Sequence, residues 1–131
     1  MRAEVKSIFS SDFDERSWWP ENEDNFSFWI QILAGPEGGE GGEIFETQVC
    51  TPKWILENIE ENSVIIGSGR IIMIKYDWQG LEATVREWVR SWEAESWHEL
   101  ALRIARIGRW EFDGIIESSK RNIIGIEKKM V

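Results

Sequence analysis

The fold is decided by the stretch Phe45-Glu46-Thr47-Gln48-Val49-Cys50-Thr51-Pro52-Lys53-Trp54, which predicts a strand running directly into a helix. Apolar and polar side chains alternate over residues 45–49, which is the period of a half-buried strand. Thr51 then offers a hydroxyl to the free N–H groups of a helix start, and Pro52 takes the first helical position, where a missing N–H costs nothing. Trp54 is expected to press toward the sheet from the first turn of this helix.

Further strands are predicted on both sides of this stretch. Residues 2–8 alternate, and residues 26–34 alternate most clearly of all. The second face of the latter strand carries Trp29 and Leu33, so we expect that face to be covered. The Gly- and Glu-rich residues 35–42 predict the turn of an antiparallel hairpin. Consecutive apolar residues at 71–74 are typical of a strand buried on both faces near the centre of a sheet.

Three helices are predicted, over residues 52–62, over residues 78–93, and after Ser96, where Ser96 and Glu99 form a capping box. Gly108 is expected to end the third helix, and residues 109–113 predict a last short strand. The sequence therefore predicts an α+β fold with a mostly antiparallel sheet of about five strands and three helices packed on one face. We expect residues 1–113 to form a single domain and residues 114–131 a C-terminal extension, an edge strand followed by a flexible end.

Composition favours a small soluble protein. A chain of 131 residues with 42% apolar content is long and apolar enough to fold around its own core. Its single cysteine, Cys50, excludes an internal disulfide and fits a reducing compartment. The sequence has no apolar run long enough to span a membrane and no signal-peptide core at its start. We therefore expect a cytoplasmic protein.

The net charge of −9 is unevenly distributed. Residues 1–65 carry four basic and fourteen acidic residues, a balance of −10, whereas residues 66–131 carry eleven basic and ten acidic residues. Such an acidic half repels nucleic acid and anionic membranes and attracts a basic partner. A merely solubilising surface explains the acidity equally well on charge alone.

Catalytic chemistry is weakly indicated. Cys50 and His98 are the only cysteine and histidine, which is too few for a zinc site, and the glycine-rich turn lacks the residues of a phosphate loop. We expect no cofactor and no metal. The abundant carboxylates leave a small hydrolase open as an alternative, although a solvated acidic surface is the simpler interpretation. The sequence indicates a binding protein that is not an enzyme.

Several stretches in collinear order over residues 1–113 resemble one family. They are Met1-Arg2-Ala3-Glu4-Val5-Lys6-Ser7-Ile8, Asn25-Phe26-Ser27-Phe28, Ala34-Gly35-Pro36, Val49-Cys50-Thr51-Pro52-Lys53-Trp54, Ser96-Trp97, and Ile107-Gly108-Arg109-Trp110-Glu111-Phe112. Together they are similar to the immunity protein 8 family of bacterial polymorphic toxin and contact-dependent growth inhibition systems. The resemblance implies a cytosolic α+β inhibitor, without catalytic residues, that binds and neutralises a cognate toxin domain, often a basic nuclease. An acidic interaction module without a toxin partner remains the first alternative.

The candidate partner-binding residues lie in two acidic loops. The loop over residues 10–25 surrounds two adjacent indoles with carboxylates, and large aromatic side chains are frequent interface anchors. The alternative is that these indoles fold back over the open sheet face near Trp29 while the carboxylates are only solvated. The candidates are Asp12, Asp14, Glu15, Trp18, Trp19, Glu21, Glu23 and Asp24, with Glu37, Glu40 and Glu43 at the hairpin tip as a second set.

Overall fold

The structure, a computed structural model, describes residues 1–59 and 64–110. Its strands are β1 (Ala3–Phe9), β2 (Ser27–Pro36), β3 (Glu43–Cys50), β4 (Arg70–Ile72) and β5 (Arg109–Trp110). Its helices are α1 (Pro52–Asn58), α2 (Trp78–Arg90) and α3 (Trp97–Ile104). The predicted α+β class, the three helices and the mostly antiparallel five-stranded sheet are confirmed. Our predictions for residues 60–62 and 111–131, including the C-terminal extension, lie outside the described residues.

The strand order is β1-β2-β3-β4, and β5 also pairs with β3. The first three strands are antiparallel, which confirms the predicted β2–β3 hairpin. Residues 48–50 of β3 pair in parallel with β4, and residues 45–46 pair in the antiparallel sense with β5. The two short strands therefore share β3 as their partner, β4 beside its end and β5 beside its beginning.

One face of the sheet forms the hydrophobic core. Side chains on alternate positions of β2 and β3 are buried there, because successive residues of a strand point to opposite faces. In β1 the register shifts between Val5 and Ser7, so the alternation is interrupted before Ile8. Helix α2 adds Leu81, Val85 and Val89, spaced four residues apart on one helical stripe. Helix α3 adds Leu100, Ala101 and Ile104. The buried strand residues are Ala3, Val5, Ile8, Phe28, Ile30, Ile32, Ala34, Phe45 and Val49.

Two predictions about apolar runs are wrong. The run at 71–74 does not form a strand buried on both faces: β4 has three residues, and the side chains of Ile72 and Ile74 are exposed. Helix α1 ends at Asn58 and contributes no buried residue. Leu56 is 80% exposed, and Trp54 is only half-buried and does not enter the core. We also expected the second face of β2 to be covered, but Trp29 there is 43% exposed.

The strand-to-helix junction is held by Thr51, which is fully buried. Its hydroxyl oxygen accepts a hydrogen bond from the backbone N–H of Trp54 at 3.3 Å, which caps α1 as predicted. The same oxygen accepts from the backbone N–H of Phe26 at 3.1 Å, and the hydroxyl donates to the Phe26 carbonyl at 3.4 Å. One side chain therefore fixes both the start of α1 and the approach to β2. The neighbouring Cys50 is also fully buried, and burial raises the pKa of its thiol.

We expect Thr51→Val to lower the free energy of unfolding by about 2–4 kcal/mol, because two buried backbone N–H groups lose their acceptor. Thr47→Val is the matched control: Thr47 is equally buried, but its hydroxyl has no hydrogen-bond partner among the described residues. Its replacement should not lower the free energy of unfolding, because an unpaired buried hydroxyl is itself destabilising. Urea denaturation of both variants measures the difference, and equal losses would contradict the role given to Thr51.

Gly108, which follows α3, lies against β3 with no room for a side chain. A Cβ atom at this position would lie 2.2 Å from the Thr47 hydroxyl oxygen and 3.3 Å from the Glu46 carbonyl oxygen. The backbone N–H of Gly108 donates to the Ile104 carbonyl at 3.3 Å, so the glycine also closes the last turn after α3. The prediction that Gly108 ends the third helix is wrong, because α3 already ends at Ile104. The close approach to β3 is what requires glycine here.

Gly108→Ala should therefore destabilise the fold by about 1–3 kcal/mol, the usual cost of overpacking a buried site. Gly67→Ala is the control, because a Cβ atom at Gly67 meets no atom of the described residues within 4 Å. Thermal or urea melts of the two variants test this. A Gly108→Ala protein as stable as the Gly67→Ala protein would show that β3 and the chain after α3 separate easily.

Candidate functional site

The loop between β1 and β2 is fixed to the core by its own aromatic side chains. The rings of Phe13 and Trp18 stack with their centroids 4.0 Å apart. Phe13 meets Phe28 of β2 edge-on at 5.0 Å, and Trp18 meets Tyr76 edge-on at 5.3 Å. The loop is thus built around a packed cluster, and Trp18 is a half-buried member of it.

Trp19 differs from its neighbour because it remains 64% exposed. Its ring meets Tyr76 edge-on, with the centroids 4.9 Å apart. Of the two adjacent indoles, Trp19 therefore lies near solvent. The alternative in which the indoles fold back near Trp29 is wrong, since Trp18 contacts Phe28, which points to the opposite face of β2.

Three of the loop carboxylates have partners within the protein. Asp12 accepts a hydrogen bond from the backbone N–H of Trp29 at 2.8 Å. Asp14 accepts from the backbone N–H of Arg16 at 3.0 Å and lies 3.4 Å from its Nε, and these contacts hold the pKa of Asp14 below its usual value. Glu23 forms an ion pair with Lys75 at 3.1 Å. These carboxylates help to hold the loop in place.

The candidate carboxylates of the hairpin tip also differ in whether they have a partner within the protein. Glu37 forms an ion pair with Arg90 of α2 at 2.7 Å, and Glu43 accepts a hydrogen bond from the indole N–H of Trp110. Glu40 is exposed at the tip. Across the ranges 1–59 and 64–110, four candidate carboxylates have neither a hydrogen bond nor an ion pair: Glu15, Glu21, Asp24 and Glu40. These four are available to a partner.

A cleft of about 790 Å³ lies between this loop and the start of α2. We call it the acidic-aromatic cleft, and its main lining residues are Glu15, Trp18, Trp19, Tyr76, Trp78 and Glu82. Asp77 also lines it and caps α2, its carboxylate accepting from the Gly80 N–H at 2.9 Å. The sequence analysis missed Tyr76, Asp77, Trp78 and Glu82, although Asp77 before a helical stripe was a visible cap signal.

Tyr76 lines this cleft and carries a buried hydroxyl. The side chain is 6% exposed, and its hydroxyl has no hydrogen-bond partner in the described part of the chain. Burial raises the pKa of the hydroxyl, and the negative charge of Glu15 raises it further. An unpaired buried hydroxyl costs about 1–3 kcal/mol, so this position is not optimised for stability alone.

The two reactive side chains named in the sequence analysis are not brought together. His98 lies beside Trp110, with ring centroids 5.6 Å apart, and Trp110 pairs with Phe45 at the beginning of β3. Cys50 ends the same strand, roughly 16 Å further along at the usual rise per residue. Within residues 1–59 and 64–110, no group of three or more His, Cys, Asp and Glu side chains is placed to hold a metal ion.

The comparison with protein families decides the identity. A family model described as immunity protein 8 matches residues 3–114. The chain belongs to the immunity protein 8 family. No curated protein and no solved structure gives a significant match.

Membership in the immunity protein 8 family makes this chain an immunity protein, whose partner is a toxin. The match covers the strand-to-helix junction and continues through β5. Thr51 in that junction is buried and bonded within the fold, so its place in the family stretch is explained by structure. None of the helices in the described residues is long and apolar enough to cross a membrane.

Measuring the free energy of unfolding distinguishes carboxylates that hold the loop in place from carboxylates that are available to a partner. Asp12→Ala should lower the free energy of unfolding by about 1–2 kcal/mol, because the Trp29 N–H loses a charged acceptor. Asp24→Ala, in the same loop, should change it by less than about 0.5 kcal/mol. Urea melts measure both. If the Asp12→Ala variant is as stable as the Asp24→Ala variant, the loop does not depend on this hydrogen bond.

Proposed function

We propose that this immunity protein acts in the cytoplasm by binding its cognate toxin domain and occluding the active-site surface of that domain. The toxin in this proposal is a nuclease with a basic cleft. The observation that carries the proposal is the family match over residues 3–114. The acidity of residues 1–65 supports it, because a nuclease surface that binds nucleic acid is basic and complements an acidic inhibitor.

The proposed binding surface is the loop over residues 10–25, together with the hairpin tip. Glu21 and Asp24 supply exposed charge, and Trp19 supplies an exposed aromatic anchor. The other candidates in the loop have a supporting part: Asp12, Asp14, Glu23 and Trp18 hold its shape through their internal contacts. Glu40 extends the acidic surface at the hairpin tip, where Glu37 and Glu43 are bound within the protein.

Survival of cells tests the function directly. The toxin domain encoded next to this chain is expressed alone and together with the immunity protein. Neutralisation predicts that only the co-expressing cells grow and that the two proteins purify as a complex. An acidic interaction module without a toxin partner would neither rescue growth nor form that complex. This module remains the alternative to the proposal because it would share the same acidity.

Electrostatic steering predicts a specific kinetic effect. Replacing Glu21, Asp24 and Glu40 together by their amides should lower the association rate with the toxin about tenfold at low salt, and the difference should fade at high salt. Dissociation should change little, because exposed rim charges act mainly on encounter. Stopped-flow mixing at low and high ionic strength measures these rates.

The control for this prediction removes the same amount of charge elsewhere. Glu46, Glu87 and Glu95 are exposed carboxylates outside the two acidic loops, so their replacement by glutamine changes the net charge equally. This control variant should keep most of the wild-type association rate. If both triple variants slow association to the same extent, only the net charge of the protein matters and the proposed surface is wrong.

A further inference from the structure

We infer that the acidic-aromatic cleft is the part of the toxin-binding surface that receives one cationic side chain, an arginine or a lysine of the toxin. This inference rests on the proposed function and names the chemistry recognised at one place on that surface. The cleft lies directly beside the exposed Trp19, so a partner seated on the acidic loop reaches it without any rearrangement of the fold.

The shape of the cleft suits a cation because aromatic rings form its walls. The rings of Trp18 and Trp19 both meet Tyr76 edge-on, with centroids 5.3 Å and 4.9 Å from the tyrosine ring. Trp78 lines the side contributed by α2. The face of an aromatic ring is negative, so it attracts an ammonium or guanidinium group placed over it, most strongly where water is excluded.

The carboxylates that surround these rings favour a guest with positive charge. Glu15 comes from the loop, and Asp77 and Glu82 come from the start of α2, so the acids face the cleft from both sides. A cationic side chain of the protein, that of Arg16, also lines the cleft. It is 87% exposed, and its Nε lies 3.4 Å from the carboxylate of Asp14. Three carboxylates against one exposed guanidinium leave the cleft negative, which disfavours an anionic guest.

The carboxylates of the cleft suit a guest that donates hydrogen bonds. Glu15 and Glu82 accept hydrogen bonds, and ammonium and guanidinium groups are donors only. A guest of this kind pairs with a carboxylate and neutralises it, which a neutral apolar side chain cannot do. Arginine fits best, because its planar guanidinium both stacks on rings and donates several hydrogen bonds.

The experiment measures the affinity of the co-encoded toxin domain for three variants of the full chain. We expect Trp19→Ala and Glu82→Gln each to raise the Kd about tenfold, mainly through faster dissociation. Glu87→Gln, which removes a carboxylate from α2 outside the cleft, is the matched control and should leave the Kd within about twofold of wild type.

The guest is then identified by replacing each surface arginine and lysine of the toxin with glutamine. One of these changes should be non-additive with Glu82→Gln in a double-mutant cycle, because both remove the same contact. If wild type neutralises the toxin but the folded cleft variants bind as wild type does, the inference is wrong and the proposed function stands. Strict additivity at every toxin cation also overturns the inference. A wild-type chain that does not bind the toxin overturns the proposed function and this inference with it.

Discussion

A single buried hydroxyl group joins two segments of this fold to the end of β3. Thr51 uses its full hydrogen-bonding capacity, two bonds accepted and one donated, and thereby joins the approach to β2 to the start of α1. The adjacent Cys50 carbonyl accepts from the N–H of Met73, so the chain just beyond β4 meets the same point. Apolar packing brings these segments close together, but it is non-directional. The hydroxyl adds the geometry that positions one helix relative to the sheet.

Local sequence patterns correctly predicted elements whose burial alternates regularly or whose partners are close in the sequence. The alternation in β2 and β3 was visible because one face of each strand lies on the core, and the Ser96 cap was visible because its acceptor and donor lie three residues apart. The prediction from residues 71–74 was wrong because an apolar run does not show whether other elements cover it, and Ile72 and Ile74 are exposed. The prediction for Trp54 was wrong for a related reason, since a side chain in the first turn of a helix need not pack on the sheet.

The proposed binding surface was only half visible in the sequence. The acidic loop could be identified, but its carboxylates bonded within the protein could not be separated from the available ones, because a partner such as Lys75, which pairs with Glu23, is distant in the sequence. Trp18 and Trp19 look equivalent as neighbours. They differ in the structure because Phe13 stacks on Trp18 and leaves Trp19 at the edge of Tyr76. The α2 wall of the cleft meets the loop only through tertiary packing, which no local pattern records.

Because Cys50 is buried, the reaction rate of its thiol can report local opening of the fold. A thiol reacts with alkylating reagents as the thiolate, and burial both blocks the reagent and disfavours that ion. Alkylation therefore requires the end of β3 to separate transiently from its surroundings, beside the Thr51 bonds. The labelling rate of the unmodified chain measures how often this happens. Its change on toxin binding shows whether binding alters the stability of the junction.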